Sequence, residues 1–285
     1  METGKNKFDT FCVGQTKREE LRTTDKLLIE SELNLISYAI IDKKAKQCVG
    51  LCSVLIDSSF GRMERRAFYK DFLSNDPIIN FPFSSRQLLL SNRECVFIPE
   101  EIFKEEELDN YISSSFGNEF AGTCFSMKMP ELKNHLVFKV PDWLHKLYKE
   151  KLSGSSIVHA TAFLVESVYR ISRQLNERIV HAHFKRASFE LVIFDNGKML
   201  FYNSFSYQTS EDIAYFIMYA LKQWEIEDSK ISISGHFDAE SDELYWLRKY
   251  LTKIISFPSN AFTPYPPSLE KPESYINLLN PSLCE

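Results

Sequence analysis

The 285-residue sequence lacks any apolar run of about eighteen residues, the length that a membrane-spanning helix needs. Its first residues, METGKNKFDTFCVGQTKREELRTTDK, are polar and contain no apolar segment of the kind found in signal peptides. With 34 Lys and Arg against 39 Asp and Glu, the formal charge is −5, so there is no basic excess for nucleic acid. We therefore expect a cytoplasmic protein with no membrane span and no nucleic-acid partner.

Motifs for catalysis and for metal binding are also missing. The sequence Asn203-Ser204-Phe205 lacks the glycines of a nucleophile elbow. His181 and His183 lie two apart on a predicted strand and so share a face, but no third ligand can be assigned, and ordinary strand histidines are the favoured interpretation. We predict no catalytic residue and no metal site.

The six cysteines are scattered along the chain, and most lie within apolar runs, as small buried side chains do. This usage is typical of a reducing compartment. We therefore expect no structural disulfide.

The strongest local pattern lies between residues 189 and 235. Two apolar runs, at 189–194 and 198–207, flank Asp195-Asn196-Gly197. Asn-Gly tolerates the positive φ angles of a type I′ turn, so this pattern predicts a β-hairpin.

A helix should follow the hairpin. Thr209 and Asp212 can form a capping box at its start, and apolar residues then recur at helical spacing. Tyr215 and Tyr219 lie off this apolar stripe. We therefore expect the helix to be covered on more than one side.

The remaining elements of the second half complete a recognisable order. Residues 181–185 predict its first strand, and 231–234 predict a strand that should pair with it in parallel, because the helix between has the length of a crossover. A second helix is predicted at about 240–251, with Asp238 or Ser241 as its cap. Three strands, a helix, a strand and a helix form the order of a ribonuclease-H-like half-domain.

The first half repeats nearly the same order, which suggests an old duplication. Its predicted elements are strands at 27–29, 33–41 and 48–56, a helix at 62–73, strands at 88–90 and 96–98, and a helix at 99–112. Further strands at 120–127 and 136–140 precede a long helix over 155–175 that should link the halves.

We therefore predict an α/β protein with two ribonuclease-H-like lobes and four segments. Residues 1–23 should form a flexible arm, 24–135 the first lobe, 136–256 the second lobe with linking helices, and 257–285 a proline-rich tail. The tail should run extended over the surface, with Tyr265, Tyr275, Leu278 and Leu279 as anchors.

Two blocks carry a resemblance to a known family. NGKMLFYNSFSYQTSEDIAYFIMYALKQW and the following ISISGHFDAESDELYWLRKY resemble the signature block of an uncharacterised bacterial family, domain of unknown function 3822. VFIPEEIF and IVHATAFLVESVYRI are similar to earlier parts of its pattern, so the resemblance covers nearly all of the chain from about Thr24. It implies an actin-like fold of the kind shared by actin, Hsp70 chaperones and sugar kinases, and it implies no established activity.

Members of that fold that bind nucleotides hold phosphates on turns between the first two strands of each half. Such turns usually contain Asp-x-Gly, because Gly lets backbone N–H groups approach phosphate and Asp positions the metal ion. The first turn here lies near residues 30–34, has no Gly, and carries two carboxylates that would repel phosphate. The second turn, at 185–188, has neither Gly nor an acid. Asp195-Asn196-Gly197 joins the next pair of strands, at the opposite end of the sheet.

The adenosine motif of the fold, a strand that runs into Gly-Gly, is matched only in part. Gly235 stands at its first glycine, and His236 replaces the second. We therefore expect a non-catalytic binding or scaffold protein with degenerate phosphate loops, no cofactor and a protein partner.

The alternative is a nucleotide-binding ATPase or kinase-like switch of the actin and sugar-kinase superfamily that uses ATP and Mg²⁺. Metal and phosphate ligands must all be present together for that chemistry. The residues that would then hold the nucleotide are Ser31, Asn34, Arg186, Ser188, Gly235 and His236.

Overall fold

The computed structural model describes residues 8–57, 59–117, 121–186, 188–237, 242–251, 253–258 and 261–284. The chain divides into two compact units. Unit 1 comprises Met1–Ala162, Thr263–Leu269 and Pro281–Glu285, and unit 2 comprises Phe163–Phe262 and Glu270–Asn280. Within the described ranges, no helix is long and apolar enough to cross a membrane.

Unit 1 is built on a six-stranded mixed sheet. The strands, in spatial order, are β1 (Phe8–Gly14), β4 (Gln47–Ile56), β3 (Leu35–Asp42), β2 (Lys26–Ser31), β5 (Ser85–Leu90) and β9 (Ser156–His159). The pairs β1–β4, β4–β3 and β3–β2 are antiparallel, and β5 pairs in parallel with both β2 and β9. Helix α1 (Arg62–Asn75) connects β4 to β5 and buries Tyr69 and Leu73.

A second, three-stranded sheet is inserted between β5 and β9. Its strands are β6 (Cys95–Pro99), β8 (Asn134–Pro141) and β7 (Gly122–Met129), in that spatial order, and all pairs are antiparallel. The helices of this insertion are α2 (Leu108–Phe116) and α3 (Asp142–Lys151).

Unit 2 has a five-stranded sheet. The strands, in spatial order, are β12 (Lys198–Ser206), β11 (Ser188–Asp195), β10 (Arg178–Phe184), β13 (Ile231–Gly235) and β14 (Ile254–Ser256). The pairs β12–β11 and β11–β10 are antiparallel, and β13 pairs in parallel with β10 and β14. The helices are α4 (Ala160–Leu175), which enters from unit 1, α5 (Ser210–Gln223) and α6 (Asp242–Tyr250).

The best-patterned stretch of the sequence folds as predicted. Asn196 and Gly197 have φ angles of 49° and 79° between β11 and β12, which is the backbone conformation that a type I′ turn requires. Thr209 caps α5 by accepting a hydrogen bond from the Asp212 backbone, and Asp212 completes the capping box. The parallel pairing of β10 with β13 is confirmed, while the predicted α6 caps, Asp238 and Ser241, lie outside the described residues.

The two units share one strand order. In unit 1 it is β4-β3-β2-β5-β9, and in unit 2 it is β12-β11-β10-β13-β14, with the same parallel and antiparallel relations. This is the order predicted for two ribonuclease-H-like halves. Unit 1 adds β1 at the outer side of β4.

That extra strand corrects two expectations. Phe8–Gly14 was predicted to belong to a flexible arm, but it pairs along its whole length with β4. Cys12 lies directly opposite Cys52, with 4.1 Å between the Cα atoms, and the two form a disulfide. The expectation of no structural disulfide was therefore wrong, because the pairing that joins these two cysteines is non-local.

Two predicted helices begin later than expected. Ile157 and Val158 belong to β9, because β-branched side chains suit a strand and this segment pairs with β5; α4 therefore starts at Ala160. Pro99 ends β6, and the regular helix that follows starts only at Leu108. Unit 1 thus extends to Ala162, whereas the predicted boundary after residue 135 falls inside β8.

The proline-rich tail is packed into the units and does not run over their surface. Thr263 Oγ1 donates to the Lys46 carbonyl at 2.8 Å in unit 1. In unit 2, Asn280 Nδ2 donates to the Phe163 carbonyl at 2.8 Å and to Ser167 Oγ at 3.0 Å. Among the predicted anchors Tyr275, Leu278 and Leu279 are buried, and Tyr265 is half-buried.

Helix α5 was predicted to be covered on more than one side, and the structure differs. Its inner face, including Ile213, Ile217 and Leu221, is buried in the core of unit 2. Tyr215 and Tyr219 are exposed, so the helix is covered on one face only.

Candidate functional site

The candidate site of unit 1 is the turn between β2 and β3, where the fold would hold a phosphate. Ser31, the last residue of β2, is buried, and its hydroxyl donates to Tyr69 Oη at 3.3 Å. Tyr69 Oη in turn donates to the Glu32 carbonyl. Burial raises the pKa of Tyr69, so its hydroxyl keeps its proton. The chain thus uses the Ser31 hydroxyl to fix its own turn.

The other polar groups of this turn are acidic or half-buried. Glu30 and Glu32, on either side of Ser31, are both buried. The Asn34 carbonyl accepts from the Ile56 backbone N–H at 2.8 Å. Asn34 Oδ1 has no hydrogen-bond partner within the described part of the chain. This amide oxygen is buried, and as an acceptor it cannot donate a hydrogen bond to a phosphate.

In unit 2 the equivalent turn follows β10 and carries a buried ion pair. Lys185 Nζ lies 2.9 Å from Glu190 Oε2, and both side chains are buried. Tyr202 Oη donates to Glu190 Oε1 at 2.7 Å. The charge of Lys185 is therefore neutralised by the protein itself, whereas Arg186 in the same turn is exposed.

A row of polar side chains crosses the sheet of unit 2 beside this pair. Glu190 lies opposite His183, and His183 lies next to Ser234 on β13. His181 lies next to Ser232 in the same manner. Cross-strand partners lie on one face of a sheet, so these five residues form a continuous polar cluster inside the unit.

Hydrogen bonds connect the cluster in one direction. Ser232 Oγ donates to the Val180 carbonyl at 3.2 Å, so it must accept from His181 Nδ1 at 2.8 Å. His181 Nε2 then accepts from Ser234 Oγ at 2.8 Å. Ser234 Oγ accepts in turn from His183 Nδ1 at 2.8 Å. Both histidines are neutral in this arrangement.

The pKa directions agree with neutral rings. Burial lowers the pKa of His181 well below its usual range, and the neighbouring His183 adds to this effect. Burial likewise lowers the pKa of His183 to about 3, against an opposing effect of Glu190. Burial and the charge of Arg186 lower the pKa of His236 to about 4. The three histidine rings therefore carry no positive charge near neutral pH.

Gly235 ends β13 where it touches the backbone of β10. Its φ angle is +97°, and a Cβ atom there would collide with the Phe184 carbonyl. The His236 N–H donates to that carbonyl at 2.9 Å, and Ser274 Oγ donates to the Gly235 carbonyl at 3.0 Å. Close approach of two strands thus accounts for this glycine.

The structure brings the four predicted unit 2 residues to one end of the sheet. Ser188 accepts from the Lys185 N–H at 2.9 Å through its carbonyl, and Arg186 is exposed at the same turn. Gly235 and His236 lie at the neighbouring end of β13. In unit 1, Ser31 and Asn34 flank one turn.

Sequence reasoning missed the Lys185–Glu190 pair and the serines of β13. Glu190 interrupts the apolar run FELVIF, and Ser232 and Ser234 alternate with isoleucine. Both patterns place polar groups on a buried strand face, which is the signal that could have indicated the cluster. Among the residues that the structure describes, no three His, Cys, Asp or Glu side chains are arranged to hold a metal ion.

Comparisons with known proteins agree with this architecture. A family model described as "Protein of unknown function (DUF3822)" matches residues 15–254. No curated protein matches the chain in sequence. The chain is similar to a Bacteroides thetaiotaomicron protein with an actin-like ATPase fold and unknown function, with a TM-score of 0.75 and 16% identity over 82% of this chain and 91% of that one.

A second solved structure is the PilM-PilN type IV pilus biogenesis complex. Its TM-score is 0.59 at 10% identity, and the match covers 92% of this chain and 99% of that one. These similarities show that the chain has the actin-like ATPase fold.

Proposed function

The chain belongs to the DUF3822 family of proteins of unknown function, and we propose that it is a non-catalytic binding protein that uses the actin-like fold to hold a protein partner. One observation carries the proposal. At the first turn the Ser31 hydroxyl donates to Tyr69, and at the second turn the charge of Lys185 is paired with Glu190.

Phosphoryl transfer makes demands that these turns meet poorly. It needs a phosphate cradle of free backbone N–H groups and a metal-bound phosphate in one place. Neither turn contains a glycine, and the residues on either side of Ser31 at the first turn, Glu30 and Glu32, are acidic. A chain that has filled these positions with its own side chains is better suited to binding than to hydrolysis.

Protein binding is supported by the fold comparison. PilM, whose structure resembles this chain, was solved as a complex with PilN. We extend to this chain only the general property that such a fold can hold another protein. The proposal includes the cytoplasmic location that the sequence predicts, in which case the Cys12–Cys52 disulfide must withstand reducing conditions.

The competing proposal is a nucleotide-dependent switch. It is favoured by the actin-like ATPase fold and by a positive charge at the second turn. Arg186 is exposed there. In this proposal Arg186 would contact phosphate and the adenine would lie near Gly235 and His236.

Thermal unfolding with ATP and Mg²⁺ separates the two proposals. A ligand at a hundredfold excess over its Kd adds about 2.7 kcal/mol of stability, which for a chain of this size corresponds to a rise in Tm of about 5 °C or more. We expect no rise. A rise that Arg186→Ala removes, and that Arg170→Ala at another exposed arginine of unit 2 leaves intact, would establish the switch instead.

Affinity capture with the full chain tests the partner. We expect one protein to be recovered reproducibly and in the same amount with or without ATP and Mg²⁺. Recovery that depends on the nucleotide, or no reproducible protein at all, would count against a nucleotide-independent binding role.

A further inference from the structure

The outer surface of unit 2 concentrates exposed apolar side chains. Helices α5 and α6 contact each other and cover the sheet, with Leu244 and Leu247 turned into the core. Six of the twelve large apolar side chains that are exposed in the described residues lie on these two helices or at the end of α5. They are Tyr215, Met218, Tyr219, Trp224, Tyr245 and Tyr250. Such a patch on a folded surface is typical of a protein interface.

The rings of this patch are already ordered. Tyr215 and Tyr219 stack with centroids 6.2 Å apart, and Trp246 and Tyr250 stack with centroids 5.9 Å apart. Lys249 Nζ lies 4.3 Å from the centre of the Trp246 ring. Aromatic side chains that are held in place lose little entropy when a partner covers them, which suits them to the centre of an interface.

The exposed stripe of α5 has a charge pattern that is complementary to a second, antiparallel copy of the same stripe. Glu211, Tyr215, Met218 and Lys222 are spaced four, three and four residues apart, so they lie on one face of the helix, and all four are exposed. An acid begins the stripe, apolar groups fill its middle and a base ends it. Two copies of such a helix, placed antiparallel, bring Glu211 of each against Lys222 of the other and the apolar centres together.

We propose that this face joins two copies of the chain through an antiparallel α5–α5 contact. A two-fold interface needs a surface that is complementary to itself, and the stripe meets that condition in both charge and apolar character. A partner of one charge sign would match only one end of the stripe. The aromatic residues of α6 extend the apolar area beside the central helix pair. This inference rests on the surface of unit 2 and does not depend on the proposed function.

Sedimentation velocity over a range of protein concentrations tests the association. We expect a reversible monomer–dimer equilibrium, and we expect Met218→Glu to shift it strongly toward monomer by placing a charge in the apolar centre. Met63→Glu is the matched control, because it makes the same substitution at an exposed methionine of α1 in unit 1, away from the α5 face. Met63 is 75% exposed and Met218 is 41% exposed. A chain that is monomeric at every concentration, or a dimer equally stable in Met218→Glu and Met63→Glu, would overturn the proposal.

Charge exchange tests the antiparallel geometry. Glu211→Lys and Lys222→Glu each place like charges at two symmetry-related positions of a homodimer, and each should weaken it by about tenfold in Kd. Mixing the two variants should restore the affinity, because each copy then offers the charge that the other lacks. Circular dichroism of each variant excludes misfolding as the cause. Failure of the mixture to form a heterodimer, with both variants folded, would refute this arrangement of α5.

Discussion

Lowering the pH from 7 to 5 should destabilise unit 2, because His181 and His183 are buried and neutral in β10. Their folded-state pKa values lie below the usual histidine value, so in this window the unfolded chain binds protons that the folded chain does not. The free energy of unfolding therefore rises with pH, and stability is lost as the pH falls below about 6.5. For His183 the loss continues down to about pH 3, the pKa in the folded state.

The size of the loss in stability follows from the pH interval over which the unfolded chain binds the extra protons. Each such proton changes the free energy of unfolding by about 1.4 kcal/mol per pH unit, so one histidine costs about 2 kcal/mol between its unfolded pKa near 6.5 and pH 5. The two histidines of β10 cost about 4 kcal/mol, and His236 of unit 2, whose pKa is lowered to about 4, adds about 2 kcal/mol by the same reasoning. The sum is a large part of the 5–15 kcal/mol typical of a folded domain. The lowered pKa values already include the opposing effect of Glu190.

The measurement must report on unit 2 alone. Asp25 and Asp76 of unit 1 have pKa values raised by burial, and they change stability in the opposite direction. Hydrogen exchange of the β10 amides at pH 7 and pH 5, corrected for the intrinsic rates, gives the local opening free energy.

A histidine variant and a control complete this test. His183→Gln should remove about a third of the pH dependence that arises from the three histidines of unit 2. His135→Gln, at a ring that stacks on Phe103 in unit 1, should leave it unchanged. An opening free energy of β10 that is equal at pH 7 and pH 5 would refute the assignment of neutral, buried histidines.

Three further predictions concern single contacts. Lys185→Met should lower the free energy of unfolding in urea by about 3–5 kcal/mol, because it leaves Glu190 charged and buried. Adding Glu190→Gln should recover most of that loss, and no recovery would contradict the pairing. Gly235→Ala should cost about 3–5 kcal/mol, since it combines a positive φ with a clash against the backbone of β10, and a near-neutral effect in thermal unfolding would contradict that close approach. Reducing the Cys12–Cys52 disulfide, which spans 40 residues, should cost about 4 kcal/mol, and an equal Tm with and without reductant would contradict it.

The parts of the fold that the sequence predicted are those encoded by neighbouring residues. The Asn196-Gly197 turn and the Thr209 cap need only local chemistry, and both are present in the structure. Strands β1 and β9 escaped prediction because their partners, β4 and β5, are distant along the chain. The tail was misjudged for the same reason, since its prolines say nothing about the carbonyl and side-chain groups that anchor it.

The strand order predicted which site residues lie together, and the structure brings Arg186 and Gly235 to one end of the sheet. The sequence did not predict the buried side chains beside them. A buried Glu190 becomes understandable only when the register puts it opposite His183 and beside Lys185. Register depends on pairs of strands, and no single segment of sequence contains it.

The two units fix the same turn by different means, and this difference bears on function. In unit 1 a tyrosine hydroxyl from α1 holds the backbone after β2, and in unit 2 a buried ion pair holds the start of the turn after β10. Side chains of the chain itself thus hold the backbone at both turns. We therefore expect changes at Tyr69 or Lys185 to act on stability, and changes on the exposed face of α5 to act on association without a loss of stability.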